Sequence, residues 1–240
     1  MEEAIKVKGL IKKFGNFTAV NNITFSVPKG SIFALLGPNG SGKTTTIKIL
    51  CGVLSPTSGE VEVLGIDVLK KAEEVKKNIG YVSQKFSLYE DLTVDENLDF
   101  YGSVYGLKNN ELKEKKKELI KFSNLEGREK SLVSTLSGGM KQRLAFACAV
   151  MHKPKLLILD EPTAGVDPIS RKIYWDIIKE FASLGVTILV TTHYMDEAEK
   201  CDLVAFIFNG VLKVIDTPEE LKKEYQSSNL EEVFVKVFSA

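Results

Sequence analysis

Ile32-Phe33-Ala34-Leu35-Leu36-Gly37-Pro38-Asn39-Gly40-Ser41-Gly42-Lys43-Thr44-Thr45 is the stretch on which the fold turns. Five apolar residues read as a buried strand, residues 37–42 break it, and Lys43 to Cys51 reads as a helix. A strand, a glycine loop and a helix in that order make a phosphate site, because successive backbone N–H groups and a helix N-terminus face one anion. Side chains in the loop would block that approach, which is why glycine recurs. The spacing matches G-x-x-x-x-G-K-T, so Gly37, Pro38, Asn39, Gly40, Ser41 and Gly42 are expected around the phosphates. Lys43 is expected to bridge the β- and γ-phosphates, Thr44 to ligate Mg²⁺, and Thr45 to add a hydrogen bond.

Upstream, Ile5 to Leu10 and Ile23 to Val27 read as strands, and Pro56, Gly59 and Gly65 punctuate a hairpin-like stretch. An N-terminal antiparallel β subdomain is expected there. Downstream the pattern turns helical. Thr93 caps a helix through Phe100, Asn110 to Phe122 is a Lys/Glu-rich amphipathic helix, and Ser137 to Met151 gives another. The Lys115 to Lys117 run reads as a solvated helix face.

From Leu156 strands and helices alternate: strand Leu156 to Leu159, helix Ile169 to Leu184, strand Val186 to Val190, helix Tyr194 to Cys201, then a strand pair about Asn209-Gly210. Such alternation implies an α/β fold with parallel strands flanked by helices. Residues 93–153 are therefore expected to form a helical subdomain inserted into one α/β domain spanning 1–240. Leu230, Val233, Phe234, Val237 and Phe238 recur at helical spacing, so 218–240 reads as a docked helical tail.

Leu156-Leu157-Ile158-Leu159-Asp160-Glu161 is an apolar strand ending in two carboxylates, at the sheet edge where ligands of α/β folds bind. Asp160 suits the Mg²⁺ shell, and Glu161 suits a general base that polarises an attacking water. Leu136-Ser137-Gly138-Gly139-Met140-Lys141-Gln142-Arg143 is a second glycine-bearing helix start able to meet an anion.

The glycine loop, the Leu-Ser-Gly-Gly segment, Asp160-Glu161 and the later His193 resemble, in order and spacing, the ATP-binding cassette of ABC transporters. The resemblance covers nearly the whole chain, and it implies a P-loop NTPase core that binds ATP. It implies that Ser137, Gly138 and Gly139 close over the γ-phosphate held by a second ABC ATPase subunit, in a homodimer. Gln84 is similar to the Q-loop glutamine, which reaches the Mg²⁺ and water region and opens the segment facing a transmembrane permease subunit. Ala164-Gly165-Val166-Asp167 resembles the D-loop, where Asp167 couples the two sites; Asp167 is also placed to cap a helix. His193 resembles the switch histidine that hydrogen-bonds the γ-phosphate, and Phe14 stands where the family carries an adenine-stacking aromatic.

Met140 after Leu-Ser-Gly-Gly, the Gly-Val-Asp of the D-loop, Leu92 to Asn97, Tyr194 to Ala198 and Leu230 to Phe234 are similar to the drug-efflux and lipid or polysaccharide export branch. Export is the expectation. The alternatives are the cassette of an amino-acid importer and a soluble ABC ATPase outside transport.

The 32 basic and 32 acidic side chains cancel, which removes the whole-chain attraction that drives non-specific nucleic-acid binding. Cys51, Cys148 and Cys201 lack the spacing of a zinc site or a disulfide framework and read as core residues in a reducing cytosol. No apolar run approaches the roughly 20 residues needed to cross a bilayer, and the opening Met1-Glu2-Glu3 has no signal-peptide character. The chain is thus expected at the cytoplasmic face of the membrane, held there by its permease.

Overall fold

A computed structural model describes residues 2–85 and 87–239; Met1, Phe86 and Ala240, and with them both ends of the expected 1–240 domain, lie outside the described residues. The chain opens with β1 (Glu3–Phe14) and β2 (Phe17–Pro28), an antiparallel hairpin in which Phe14 pairs with Phe17 across the turn. Later strands β4 (Ser58–Val63) and β5 (Ile66–Asp67) complete a four-stranded antiparallel sheet in the order β2-β1-β4-β5.

Between them run β3 (Ile32–Leu36) and α1 (Lys43–Leu50), and after them α2 (Ala72–Asn78) and β6 (Ile79–Val82). Then come the helices α3 (Val94–Val104), α4 (Asn109–Phe122) and α5 (Gly138–Ala149), followed by β7 (Leu156–Asp160), α6 (Pro168–Ser183) and β8 (Thr187–Thr192). The chain closes with α7 (Met195–Ala198), β9 (Leu203–Phe208), β10 (Val211–Asp216), α8 (Pro218–Glu224) and α9 (Leu230–Ser239). The second sheet has the order β10-β9-β3-β8-β7-β6. Its pairings are parallel except for β9 with β10, which the Asn209-Gly210 turn joins as a hairpin.

Every residue of β3, β7 and β8 is buried, as strands covered on both faces require. Alternate side chains divide between two cores, following the period of two. Ile32, Ala34 and Leu36 join Leu157, Leu159, Ile188 and Val190 against α5, α6 and α9. Phe33 and Leu35 join Leu156, Ile158 and Leu189 on the other face, with α1 residues Ile47, Ile49 and Leu50 between the two sheets. The α/β core with its N-terminal antiparallel sheet agrees with the sequence reading.

Thr93 caps α3 through a full capping box with Glu96. The Lys115 to Lys117 run departs from the expected solvated face. Lys115 is buried and pairs with Glu118 at 2.8 Å, while Lys116 reaches Asp95 at 2.8 Å and Asp99 at 2.7 Å on α3. Lys116 alone thus ties α4 to α3, Lys115 pairing within its own helix, while Lys117 is exposed as expected. All three cysteines are buried and free; burial, with the Asp160 charge adding to it, pushes the Cys51 thiol up to about 12. None of them is a nucleophile at neutral pH.

Candidate functional site

The parallel strands β3, β7 and β8 end side by side, and each delivers its C-terminal residues to one place. From β3 comes the glycine loop. A Cβ on Gly37 would lie 2.2 Å from the Ile207 carbonyl oxygen, and Gly42, at φ 109°, would meet the Ala19 carbonyl at 2.6 Å. Only glycine passes at these points. The Lys43 ammonium turns back under the loop, donating to the Gly37 carbonyl at 2.7 Å and the Pro38 carbonyl at 3.2 Å.

From β7 come Asp160 and Glu161. The Thr44 hydroxyl donates to Asp160 Oδ1 at 3.4 Å, and the Thr191 hydroxyl on β8 donates to the same oxygen at 2.7 Å. Thr191 also accepts the Glu161 N–H, at 2.9 Å on its hydroxyl. Glu161 is left-handed at φ 47°, a conformation that costs energy in a non-glycine residue. The Thr191 contacts help to hold it there and turn its side chain back over the loop.

The Glu161 carboxylate is the meeting point. Lys43 Nζ lies 3.1 Å from Oε1, while Gln84 Nε2 and His193 Nδ1 each lie 3.3 Å from Oε2. Three residues drawn from three segments of chain converge on this one buried carboxyl group. Lys43, Gln84 and Glu161 line a cleft of about 390 Å³ together with Phe17, Ala19, Asn39, Gly40, Gly42, Thr44 and Thr45, and His193 reaches it through Glu161. A larger cleft of about 520 Å³ lies at the other end of the sheet, between Lys29 and Thr187. It gathers none of these groups.

The cleft suits a phosphate chain: the glycine cradle admits it, the buried ammonium attracts it, and α1 points its N-terminus at it. Thr44 and Asp160 offer adjacent hard oxygens, as Mg²⁺ takes one or two protein oxygens alongside substrate phosphates. Among the described residues no cluster of three or more His, Cys, Asp or Glu forms a metal site.

Not every expected residue lies here. Ser137 N-caps α5 and accepts the Met140 N–H at 3.3 Å, and Ser137 and Gly138 are exposed outside the cleft. Asp167 N-caps α6, accepting N–H groups of Ile169 at 3.1 Å and Ser170 at 2.9 Å. These bonds, foremost the one from Ser170, hold its carboxyl below the usual aspartate range. The two helix starts adjoin, since a Cβ on Gly139 would lie 2.4 Å from Ser170 Oγ.

Phe14 likewise does not line the cleft. It is exposed, with the Lys12 ammonium 4.9 Å from its ring centroid, while its hairpin partner Phe17 lines the cleft. Phe17, Ala19 and Thr191 are the site residues that sequence reading missed. Phe17→Ala is expected to weaken nucleotide binding about fivefold or more, the scale of one base–aromatic stack, and Phe14→Ala to weaken it less. Equilibrium titration with a fluorescent ATP analogue checks this; a larger loss in Phe14→Ala places the base on Phe14.

Residues 20–164 match a family model described as ABC transporter. The probable multidrug ABC transporter ATP-binding protein YbhF of Escherichia coli (strain K12) is 46% identical over 231 residues, 96% of this chain but 40% of YbhF, so the chain spans about two fifths of that relative. The Nod factor export ATP-binding protein I of Rhizobium sp. (strain N33) is 38% identical over 96% of this chain and 76% of its own length. Among solved structures, the dimeric post-hydrolysis state of the ATP-binding cassette MJ0796 bound to ADP and Pi superposes with a TM-score of 0.81 at 26% identity, covering 89% of this chain and 98% of that one.

Proposed function

Because this chain belongs to the ABC transporter family as an ATP-binding subunit, we propose that it hydrolyses ATP within a dimer of cassettes and drives a separate membrane permease toward export. The convergence of Lys43, Gln84 and His193 on Glu161 carries this reading. In it, Glu161 accepts a proton from the attacking water, and His193 and Gln84 hold that water and the γ-phosphate in line. Lys43 exchanges its contact with Glu161 for the β- and γ-phosphates, which leaves the carboxylate free for the water. Thr44, Asp160 and Gln84 would hold Mg²⁺, whose charge would offset that building on the phosphate oxygens.

Ser137, Gly138 and Gly139 serve the second site of the dimer. The exposure of Ser137 and Gly138 at a helix start, away from this chain's own cleft, supports donation across an interface. Asp167 lies on the same edge and couples the two sites. Residues 93–153 act as the inserted helical subdomain and 218–240 as the helical tail, a reading supported by α3, α4 and α5 lying between β6 and β7. Among the described residues no helix is long and apolar enough to cross a membrane, so the permease supplies the span and holds the chain at the cytoplasmic face.

Tagged chain drawn with ATP and Mg²⁺ from detergent-solubilised membranes of its source is expected to bring down a multispanning subunit, identified by mass spectrometry. Recovery of ribosomal or DNA-associated proteins without one overturns the transport reading. An importer-type permease reverses the direction.

A further inference from the structure

Behind the site lies a carboxylate that the mechanism does not use. Glu197, on the short helix α7, has no exposed side-chain surface. Burying a carboxylate is costly unless hydrogen bonds and an opposite charge satisfy it. Here Thr163 Oγ1 donates to Oε1, Thr192 Oγ1 donates to Oε2 at 2.7 Å, and Arg171 Nε on α6 lies 3.7 Å from Oε1. Arg171 is held in turn by the Tyr194 ring, 4.1 Å from its guanidinium carbon, and by Asp196 at 3.7 Å.

The two threonines give this arrangement its consequence. Thr163 is two residues beyond Glu161, in the turn closed by the Ala164 N–H to Glu161 carbonyl bond of 3.2 Å. Thr192 directly precedes His193, and its hydroxyl also accepts the Tyr194 N–H at 3.0 Å. That one hydroxyl therefore spans the histidine. Glu197 thus ties the backbone on the far side of Glu161 to the backbone before His193, while the side chains of Glu161 and His193 meet at 3.3 Å in front.

We propose that Glu197 is a positioning residue for hydrolysis: by bridging Thr163 and Thr192 it fixes the separation of Glu161 and His193, and through Arg171 it ties that pair to the helix capped by Asp167. The inference rests on the hydrolytic reading above. Nucleotide affinity is assigned to the glycine loop and Phe17, neither of which the Glu197 side chain bonds, so the two properties separate.

The test is steady-state ATP hydrolysis by the full chain with Mg²⁺. Glu197→Ala is expected to lower kcat about 10-fold or more with KM for ATP within about threefold, as misplacement without loss of ground-state binding predicts. Glu197→Gln is expected to recover most of the rate, because an amide accepts from one threonine hydroxyl and donates to the other. Should Glu197→Ala fail to fold, Thr192→Val carries the same expectation at nearly constant volume, and Thr192→Ser restores the rate. Wild-type kcat in a folded Glu197→Ala or Thr192→Val chain overturns the proposal, as does a loss confined to KM or a Gln variant as impaired as Ala. If the wild-type chain itself does not hydrolyse ATP, the hydrolytic reading fails and this inference falls with it.

Discussion

Glu161→Gln is expected to lower ATP turnover by about 100-fold or more, while nucleotide affinity stays within about threefold, because general-base catalysis contributes on the order of 10² to 10⁴ in rate. The substitution is informative because it changes little else. Gln keeps the length and shape of the side chain, meets the same left-handed backbone at φ 47°, and still presents an oxygen to the Lys43 ammonium now 3.1 Å away. What it loses is the capacity to take a proton from water. Phosphate release at saturating ATP and Mg²⁺ measures the rate. The same variant is expected to accumulate as an ATP-bound dimer on size exclusion, since in the proposed dimer unhydrolysed ATP is held between the glycine loop of one chain and Ser137 to Gly139 of the other. A Glu161→Gln chain that turns over at the wild-type rate removes Glu161 as the base.

Lys43→Ala acts on binding instead. The ammonium is 4% exposed and in reach of the Gly37 and Pro38 carbonyls at 2.7 and 3.2 Å, so its position is set before any phosphate arrives. A hydrogen bond to a charged partner is worth about 1.5–3 kcal/mol, which corresponds to a 10- to 100-fold loss of ATP affinity on removal. Without it Glu161 also competes with the phosphates by plain charge repulsion. Titration calorimetry with ATP and Mg²⁺ on the purified variant, its fold checked by circular dichroism, measures the loss. Unchanged affinity sinks the phosphate role of the loop.

The parts of the site that sequence reading reached are those encoded locally. Glycine at 37 and 42 is demanded by contacts of 2.2 and 2.6 Å, and a G-x-x-x-x-G-K-T run announces such crowding within eight residues. Asp160 and Glu161 were legible because an uninterrupted apolar run must be a covered strand, and its polar end must lie at an edge. Strand β6 escaped, since Ile79-Gly80-Tyr81-Val82 is short and holds a glycine that weakens strand propensity. What justifies a glycine there is tertiary: a Cβ on Gly80 would lie 2.5 Å from the Ala149 carbonyl.

Phe14 and Phe17 show the same limit at the scale of one turn. Both are aromatic, both flank the Gly15-Asn16 turn and they pair directly across the hairpin. Composition cannot choose between them. The choice follows from where the hairpin sits above α1, which puts Phe17 beside the glycine loop and turns Phe14 toward Lys12.

By itself, then, the sequence determined the chemistry that is available: a phosphate cradle, a lysine, a pair of carboxylates, a second glycine-bearing helix start and a histidine after a strand. Each depends on backbone geometry and periodicity over a few residues, which the local order of side chains dictates. Only the tertiary structure decided that these groups act on one another. Gln84 reaches Glu161 across 77 positions of chain because β6, β7, β8 and β3 lie in neighbouring parallel register. The Glu197 bridge and the pairing of Lys43 with Glu161 depend on the same strand order. Sheet order is a property of the packed whole, set by which apolar faces cover one another, and no short stretch of residues contains it.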